Sequence, residues 1–466
     1  MILKNGKIFS EGLLREGAIL INNGKIVEVK FTPDDKDLKI LIEKNQDNRV
    51  IDCKNKLILP GIIDIHSHLR DMGQTEKETF FTGTKAAAYS GITTVFNMPN
   101  TKPPAISGEQ VQKWMDKAQN SINVDVGFIA GVPKEIDENE IQKIIKLGVI
   151  GFKIYPLNPL NDINWKNSEN IQKILTISSR YQIPLFIHPA FPISDKDKDR
   201  ILSEFKVHKS NTLALHDKLN PVEMEEEFIH FIIENYKKCI TNNNLNPESY
   251  PIVHLCHVSC IKGYLAIQMT LKSDHNFKIT FEITPHHLLL SHDIKLNENN
   301  YGKVLPPLRS SEHSKFLFNE LKEGNVSLIG TDHAPHTLKE KSHNFFDAPS
   351  GFPGFETYPL MMLHRIFTNN FSLENFVKIS SENPAKIFNL EKKGSIRKGY
   401  DADLIIIDKV SKFPIKSQKF KTKAKYSPFE NCNSTVLIWK VFLRGTEINN
   451  ENNISNGKII KANYKV

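Results

Sequence analysis

The sequence predicts an α/β protein. A (β/α)8 TIM barrel, residues 59–393, is flanked by a small β-sandwich built from both ends of the chain, residues 1–58 and 394–466. Three observations lead there. Apolar runs of strand length recur eight times with helical patterns between them. The two flanks read as strands and turns. Histidine, lysine and aspartate fall repeatedly where an apolar run ends, which is where such a barrel keeps its chemistry.

In order the runs are "GIIDIHSH" (61–68), "ITTVFNM" (92–98), "VDVGFIA" (124–130), "VIGFKIY" (149–155), "IPLFIHP" (183–189), "YPIVHLCHVS" (250–259), "KITFEIT" (278–284) and "VSLIGTD" (326–332). Between them lie helical stretches such as "KETFFTGTKAAAYSG" and "ENEIQKIIKLG". The second ends on Gly148, a residue suited to closing a helix. Strands alternating with helices argue for βαβ units and a parallel sheet. The N-terminal flank contains "AILINNGKIVEVK", a hairpin with an "NNGK" turn, and the C-terminal flank "DADLIIID" and "STVLIWKVFLRGTEI". Two inserts interrupt the barrel. One, residues 190–220, is rich in Asp and Lys and follows strand five; the other, residues 333–355, contains "PSGFPG" and follows strand eight. Long loops at these strand ends are expected to shape the site.

Composition narrows the function classes. Hydrophobic residues at 39% and charged residues at 24% are ordinary for a globular protein. No apolar stretch is long enough for a membrane span, and "MILKNGKIFSEG" lacks the apolar core of a secretory signal. The five cysteines (Cys53, Cys239, Cys256, Cys260, Cys432) are scattered and odd in number, as expected for reduced thiols in the cytoplasm. The net charge is +8, yet lysines are spread along the chain. The densest basic run, "KFPIKSQKFKTKAK" (412–425), reads as a solvated surface rather than a nucleic-acid patch. The Asn runs "TNNNLN" and "INNENNISN" are expected at loop tips.

The strand ends carry the chemistry. Side chains alternate along a strand, so Asp64, His66 and His68 are expected on one face and Ile63, Ile65 and Ser67 on the other. With the first face inward, two imidazoles meet at the open end. Strand four ends with Lys153, strand five with His188, strand six with His257 and strand eight with Asp332. Five of these six residues are ordinary metal ligands. Plainer alternatives stay open at two positions: Lys153 as an inward lysine paired with Asp332 or Asp64, and Arg70 in a surface ion pair with Asp71 or Glu76. His254, three residues before His257, is expected to face the other side as a core histidine. Cys256 and Cys260 lack the second cysteine pair of a zinc finger. His286 and His287 are assigned no role, and Asp64 is expected to orient a histidine from behind.

The phrases "GIIDIHSHLRDMGQTEKE", "GITTVFNMPNTKPP", "FEITPHHLLLS", "PPLR", "IGTDHAPHTLKEKSHNFFDAPSGFPGFET" and "KGSIRKGYDADLIIID" carry a resemblance over essentially the whole chain. It is to the amidohydrolase superfamily and, within it, to class I dihydroorotases. That resemblance implies a cytoplasmic enzyme of pyrimidine biosynthesis. It would close N-carbamoyl-L-aspartate reversibly to (S)-dihydroorotate on two zinc ions. His66, His68 and Asp332 would hold one zinc and His188 and His257 the other, with a carboxylated Lys153 and a hydroxide as bridges. Asp332 would take and return the proton. Arg70, Asn100, His336 and His68, with the backbone of Ser350 and Gly351, would hold the substrate. Three positions depart from the pattern: "RDMG" for the usual "REPG", "HPA" where an acidic residue commonly follows the histidine, and Leu305 where an asparagine usually precedes "PPLR". The rival activities are a hydantoinase- or allantoinase-type hydrolase, and a non-catalytic dihydroorotase-like scaffold for aspartate transcarbamoylase. Partners implied are the small-molecule substrate and that transcarbamoylase, with no nucleic acid or membrane; oligomeric state stays open, a homodimer included.

Overall fold

The computed structural model describes residues 1–45, 49–208, 211–369, 371–448 and 456–464. Most of "INNENNISN" lies outside these, whereas "TNNNLN" forms the turn that ends the helix Val222–Asn242.

The eight expected barrel strands are Ile62–Ser67, Ile92–Asn97, Asp125–Gly131, Gly151–Ile154, Pro184–Ile187, Ile252–Leu255, Ile279–Ile283 and Leu328–Ile329. They hydrogen-bond in chain order as one parallel sheet. The eighth strand closes on the first through a bridge between Ser67 and His333, where His68 N donates to His333 O at 2.8 Å. The strands read as apolar runs because both faces are covered. Val95, Phe128, Phe152, Leu185 and Phe281 join one large cluster with helix residues such as Phe80 and Ile144. Phe96, Ile129, Phe186 and Leu328 form another with Phe388 and Leu390, which close the N-terminal end of the barrel.

Local chemistry sets the helices between. Phe80–Tyr89 starts at a capping box on Thr79. Glu138–Lys146 starts where the Asp137 side chain accepts from Asn139 N, and the chain turns away at Gly148, φ +88°.

The two flanks meet in one mixed sheet of eight strands. Its central strands are Leu404–Pro414, Leu57–Pro60, Ile2–Ser10 and Leu13–Asn22. The predicted hairpin is present: Asn23 and Gly24, both at positive φ, make the tight turn to Lys25–Phe31. The last described strand does not join this sheet. Ile459–Ile460 pairs in parallel with Asp125–Gly131 of the barrel, and Tyr464 Oη then donates to Ile150 O at 2.6 Å.

A buried ion cluster fastens sheet to barrel. Lys393 Nζ lies 2.8 Å from Asp125 and 2.6 Å from Asp403, and Arg444 Nη1 grips both oxygens of Asp125. Removing one partner from such a buried group leaves an uncompensated charge and costs about 3–5 kcal/mol. Lys393→Met should therefore lower the urea midpoint of unfolding substantially. A midpoint equal to wild type would mean that Arg444 alone neutralises the cluster.

Candidate metal centre and active site

The first barrel strand departs from simple alternation. Its register against the second strand shifts between Asp64 and Ser67. Ile63 and Ile65 belong to the barrel-interior cluster, opposite to expectation, and the shift returns His66 to the interior. Asp64 orients no imidazole. It accepts from Thr331 N at 2.8 Å, Thr331 Oγ1 at 2.5 Å and His66 N at 3.3 Å, tying the first strand to the eighth. The carboxylate behind the His66 ring is Glu282, whose Oε1 accepts from Nδ1.

His68 Nδ1 bonds Asn100 Oδ1 at 2.7 Å. With both Nδ1 atoms engaged, Nε2 of each ring is the atom left for a metal. Both approach Asp332 Oδ1, His68 at 3.0 Å and His66 at 3.4 Å. Ligand atoms of His66, His68 and Asp332 lie within 4.8 Å of one another, all buried. His188 Nδ1 is 3.0 Å from His257 Nε2, and the His257 ring centroid is 5.2 Å from that of His66. His188 Nε2 and His257 Nδ1 are buried with no hydrogen-bond partner. Imidazoles, a carboxylate and unpartnered buried ring nitrogens fit a divalent metal such as zinc.

Protonation follows the same pattern. Burial pulls His68 down to about 4 and His188 to about 3, and holds His257 well below its usual value. Burial thus favours the neutral form of these rings, the form a metal ligand needs. His66 differs: burial is the largest influence and opposes its charge, but Glu282 together with Asp332 and Cys256 overcomes it and pushes the ring up to about 10. A metal at His66 would thus displace a proton. Burial acts to raise Asp332, yet His66 and His68 hold it well below the usual carboxylate range.

Two of these groups sit on left-handed backbone, His257 at φ +37° and Asp332 at φ +48°. Non-glycine residues adopt this region rarely, and it is found where function needs the geometry. His254, expected on the opposite face, lies inside the barrel. It is a core histidine, 3.0 Å from Thr280 Oγ1 and packed edge-on against Phe186. Lys153 is 2% exposed and pairs with neither Asp332 nor Asp64. Its Nζ donates to Cys256 Sγ at 2.9 Å, and among the described residues no carboxylate is within ion-pair range. His66, Cys256 and Glu282 form a second trio of ligand-type atoms, but Glu282 is bonded to His66 and Cys256 to Lys153. Cys260 instead caps a helix, accepting from Gly263 N.

These groups open on a cavity of about 380 Å³. His66, His68, His188, His257 and Asp332 line it together with Arg70, Asn100, Ser350 and Gly351. Leu157, Leu160, Val304 and Leu305 form an apolar wall, and Tyr155 and Asn158 complete the lining with Ala334. Arg70 is buried, and its Nε donates to Pro335 O at 3.3 Å. Among the described residues it has no ion-pair partner; Asp71 pairs with Lys117 instead. His336 is absent from the lining. It stands behind Arg70, its Nε2 3.1 Å from Ser350 O and 3.3 Å from Arg70 Nη2, its Nδ1 3.2 Å from Lys77 Nζ. His286 and His287 are buried and do not line the cavity: His287 Nε2 bonds Pro306 O at 3.2 Å, and the His286 ring packs against Phe352.

Sequence reasoning missed Glu282 and Tyr155. Glu282 left a signal, a carboxylate set between the apolar Phe281 and Ile283 within a strand. Tyr155 left none beyond its place two residues after Lys153.

The amidohydrolase family profile matches residues 57–458. A dihydroorotase of Methanosphaera stadtmanae is 31% identical over 455 residues, 97% of each chain. One from Staphylococcus epidermidis is 34% identical, covering 92% of this chain and 94% of its own. Among solved structures, the L-hydantoinase (dihydropyrimidinase) of Arthrobacter aurescens superposes with a TM-score of 0.86 at 25% identity, over 99% of both chains. A fold match over the whole length, sequence similarity along nearly the whole chain and a cavity lined by buried side chains that could hold a metal agree: the chain belongs to the amidohydrolase family, in its dihydroorotase branch, and is a cyclic amide hydrolase.

Proposed function

We propose that the protein is a dihydroorotase, interconverting N-carbamoyl-L-aspartate and (S)-dihydroorotate in pyrimidine biosynthesis in the cytoplasm. The observation that carries this is Arg70, a buried guanidinium without a carboxylate partner among the described residues, on the cavity wall beside the metal-ligand side chains. Dihydroorotate brings a carboxylate to pair with it, and arginine binds a carboxylate through two parallel hydrogen bonds. Five free cysteines suit a reducing compartment.

His66, His68 and Asp332 would hold one zinc ion and His188 and His257 a second, with Lys153 between them. When bound, the ions polarise the ring carbonyl and lower the pKa of water at the site to about 7. Asp332 accepts the proton of the attacking water and delivers it to the leaving ring nitrogen; in the closing direction the same carboxylate runs the two transfers in reverse. Lys153 fits carboxylation. Its Nζ is buried among the site's histidines and, among the described residues, has no carboxylate in ion-pair range. Attack of the amine nitrogen on carbon dioxide, with one N–H proton released to solvent, would make a carbamate anion facing the histidines.

A second reading is favoured by one feature. Leu305, with Leu157 and Leu160, gives the cavity an apolar wall where related enzymes are expected to place an amide. Hydrolysis of a cyclic amide lacking the carboxylate would suit that wall.

Assays with dihydroorotate and hydantoin separate the two. Arg70→Ala removes a charge-assisted contact worth about 1.5–3 kcal/mol, so KM for dihydroorotate should rise about 10–150-fold while hydantoin is nearly indifferent. Faster opening of hydantoin than of dihydroorotate by the wild type would overturn the dihydroorotase assignment. Lys153→Ala should lose the paired metals on elemental analysis, with partial rescue of activity by a short carboxylic acid; full metal content and activity would remove the bridging role. Glu282→Gln should weaken metal binding about 10–100-fold in a competition titration, because His66 loses the carboxylate behind its ring.

A further inference from the structure

We infer that Lys341 is a positioning residue for the substrate: it aims the Ser350 N–H at the cavity by pinning the peptides on either side of it. This rests on the proposed substrate contact of the Ser350 and Gly351 backbone.

Lys341 is 1% exposed, at the end of the short helix Leu338–Lys341. Its Nζ donates to Pro349 O and to Gly351 O, each at 2.9 Å. In a trans peptide the carbonyl and the following N–H point in opposite directions. Drawing Pro349 O to the lysine therefore turns Ser350 N–H away from it, and Ser350 lies on the cavity wall. Ser350 N has no acceptor among the described residues, whereas Gly351 N is bonded to Lys303 O at 2.9 Å. The next carbonyl, Ser350 O, accepts from His336 Nε2 at 3.1 Å, and Gly351 O also accepts from Tyr426 Oη at 3.3 Å. Gly351 is at φ +123°, and a Cβ there would stand 2.6 Å from Ala334 O, so only glycine completes this wall.

Lys303 supports the same loop one turn back. It is buried, and its Nζ donates to Phe345 O and Ala348 O, both at 2.6 Å, and to Phe346 O at 3.2 Å. Among the described residues neither lysine has a carboxylate within ion-pair range. Two buried lysine amino groups donating to carbonyls, with no carboxylate in ion-pair range among the described residues, are a poor way to stabilise a loop. They are an effective way to fix the direction of several peptide planes, leaving one N–H for an oxygen acceptor on the substrate.

The test compares Lys341→Met, which removes every donor, with Lys341→Gln, which keeps an N–H. In Lys341→Met, KM for dihydroorotate should rise about tenfold or more, with kcat within about threefold and metal content unchanged; Lys341→Gln should fall between it and wild type. Hydrogen exchange of the peptide spanning Ser350 and Gly351 should quicken in Lys341→Met and not elsewhere in the barrel. Unchanged KM overturns the inference, whether or not exchange quickens. A loss of kcat or metal with KM constant overturns it too, by showing a general structural role. If Lys341→Met does not fold, Lys341→Gln and Lys303→Met carry the same comparison, and unchanged KM in both overturns it. Should wild type open hydantoin rather than dihydroorotate, the dihydroorotase proposal fails separately, and the KM comparison is made on hydantoin.

Discussion

The seam between the first and eighth barrel strands is the constraint on which the site depends. Residues 66 and 68 stand far from residue 332 in the chain, and only barrel closure brings them within reach. Ladder pairing contributes little there, since the eighth strand is two residues long. Asp64 does the work instead, holding the backbone and hydroxyl of Thr331 next to Asp332 while bonding the backbone of His66. Burial pushes the Asp64 carboxyl up to about 7 despite these donors. Through this group folding becomes less favourable as pH rises from the ordinary carboxylate range towards 7, and stays so above it. The seam is kept at a cost in stability, and what it secures is the left-handed turn that presents Asp332.

Much of this was legible in the chain because it rests on periodicity. The barrel strands are apolar on both faces and broken by turn residues, and "NNGK" requires positive φ at its centre, so strands and hairpin could be read directly. The histidines at the strand ends could be read because polar residues interrupt apolar runs. What could not be read depends on broken periodicity or on distant pairing. Ile63, Ile65 and His66 all face inward, which strict alternation forbids and a register shift permits. His254 and His257 both lie inside because the strand stops at Leu255 and His257 takes a left-handed turn. The pairing of Ile459–Ile460 with the third barrel strand has no local signal, because a two-residue strand carries no period.

Buried cations divide into two kinds, and the division follows position. Lys393 and Arg444 are matched by Asp125 and Asp403 at the junction of sheet and barrel. Arg309, the arginine of "PPLR", is matched by Asp217 at 2.7 Å and Glu225 at 3.1 Å, and so fastens the insert after strand five to the barrel. Around the cavity the opposite holds. Arg70, Lys153, Lys303 and Lys341 are buried, and among the described residues none has a carboxylate within ion-pair range. A protein does not leave charge uncompensated without a reason. Of these, Arg70 lines the cavity of about 380 Å³, so its charge is open to a molecule bound there.

The terminal sheet ties the two ends of the chain to a timetable. Leu57–Pro60 pairs on one side with Ile2–Ser10 and on the other with Leu404–Pro414. The strand that covers the second side is made only after nearly the whole barrel. At about 5–20 residues per second of synthesis, the edge at Leu57–Pro60 stands open for on the order of 20–70 s. An unpaired, apolar edge of this kind templates pairing with other chains. Leu57–Pro60 is therefore a point at which a nascent chain is exposed to aggregation, and synthesis halted inside the barrel would leave the seam unformed and the first sheet still half built.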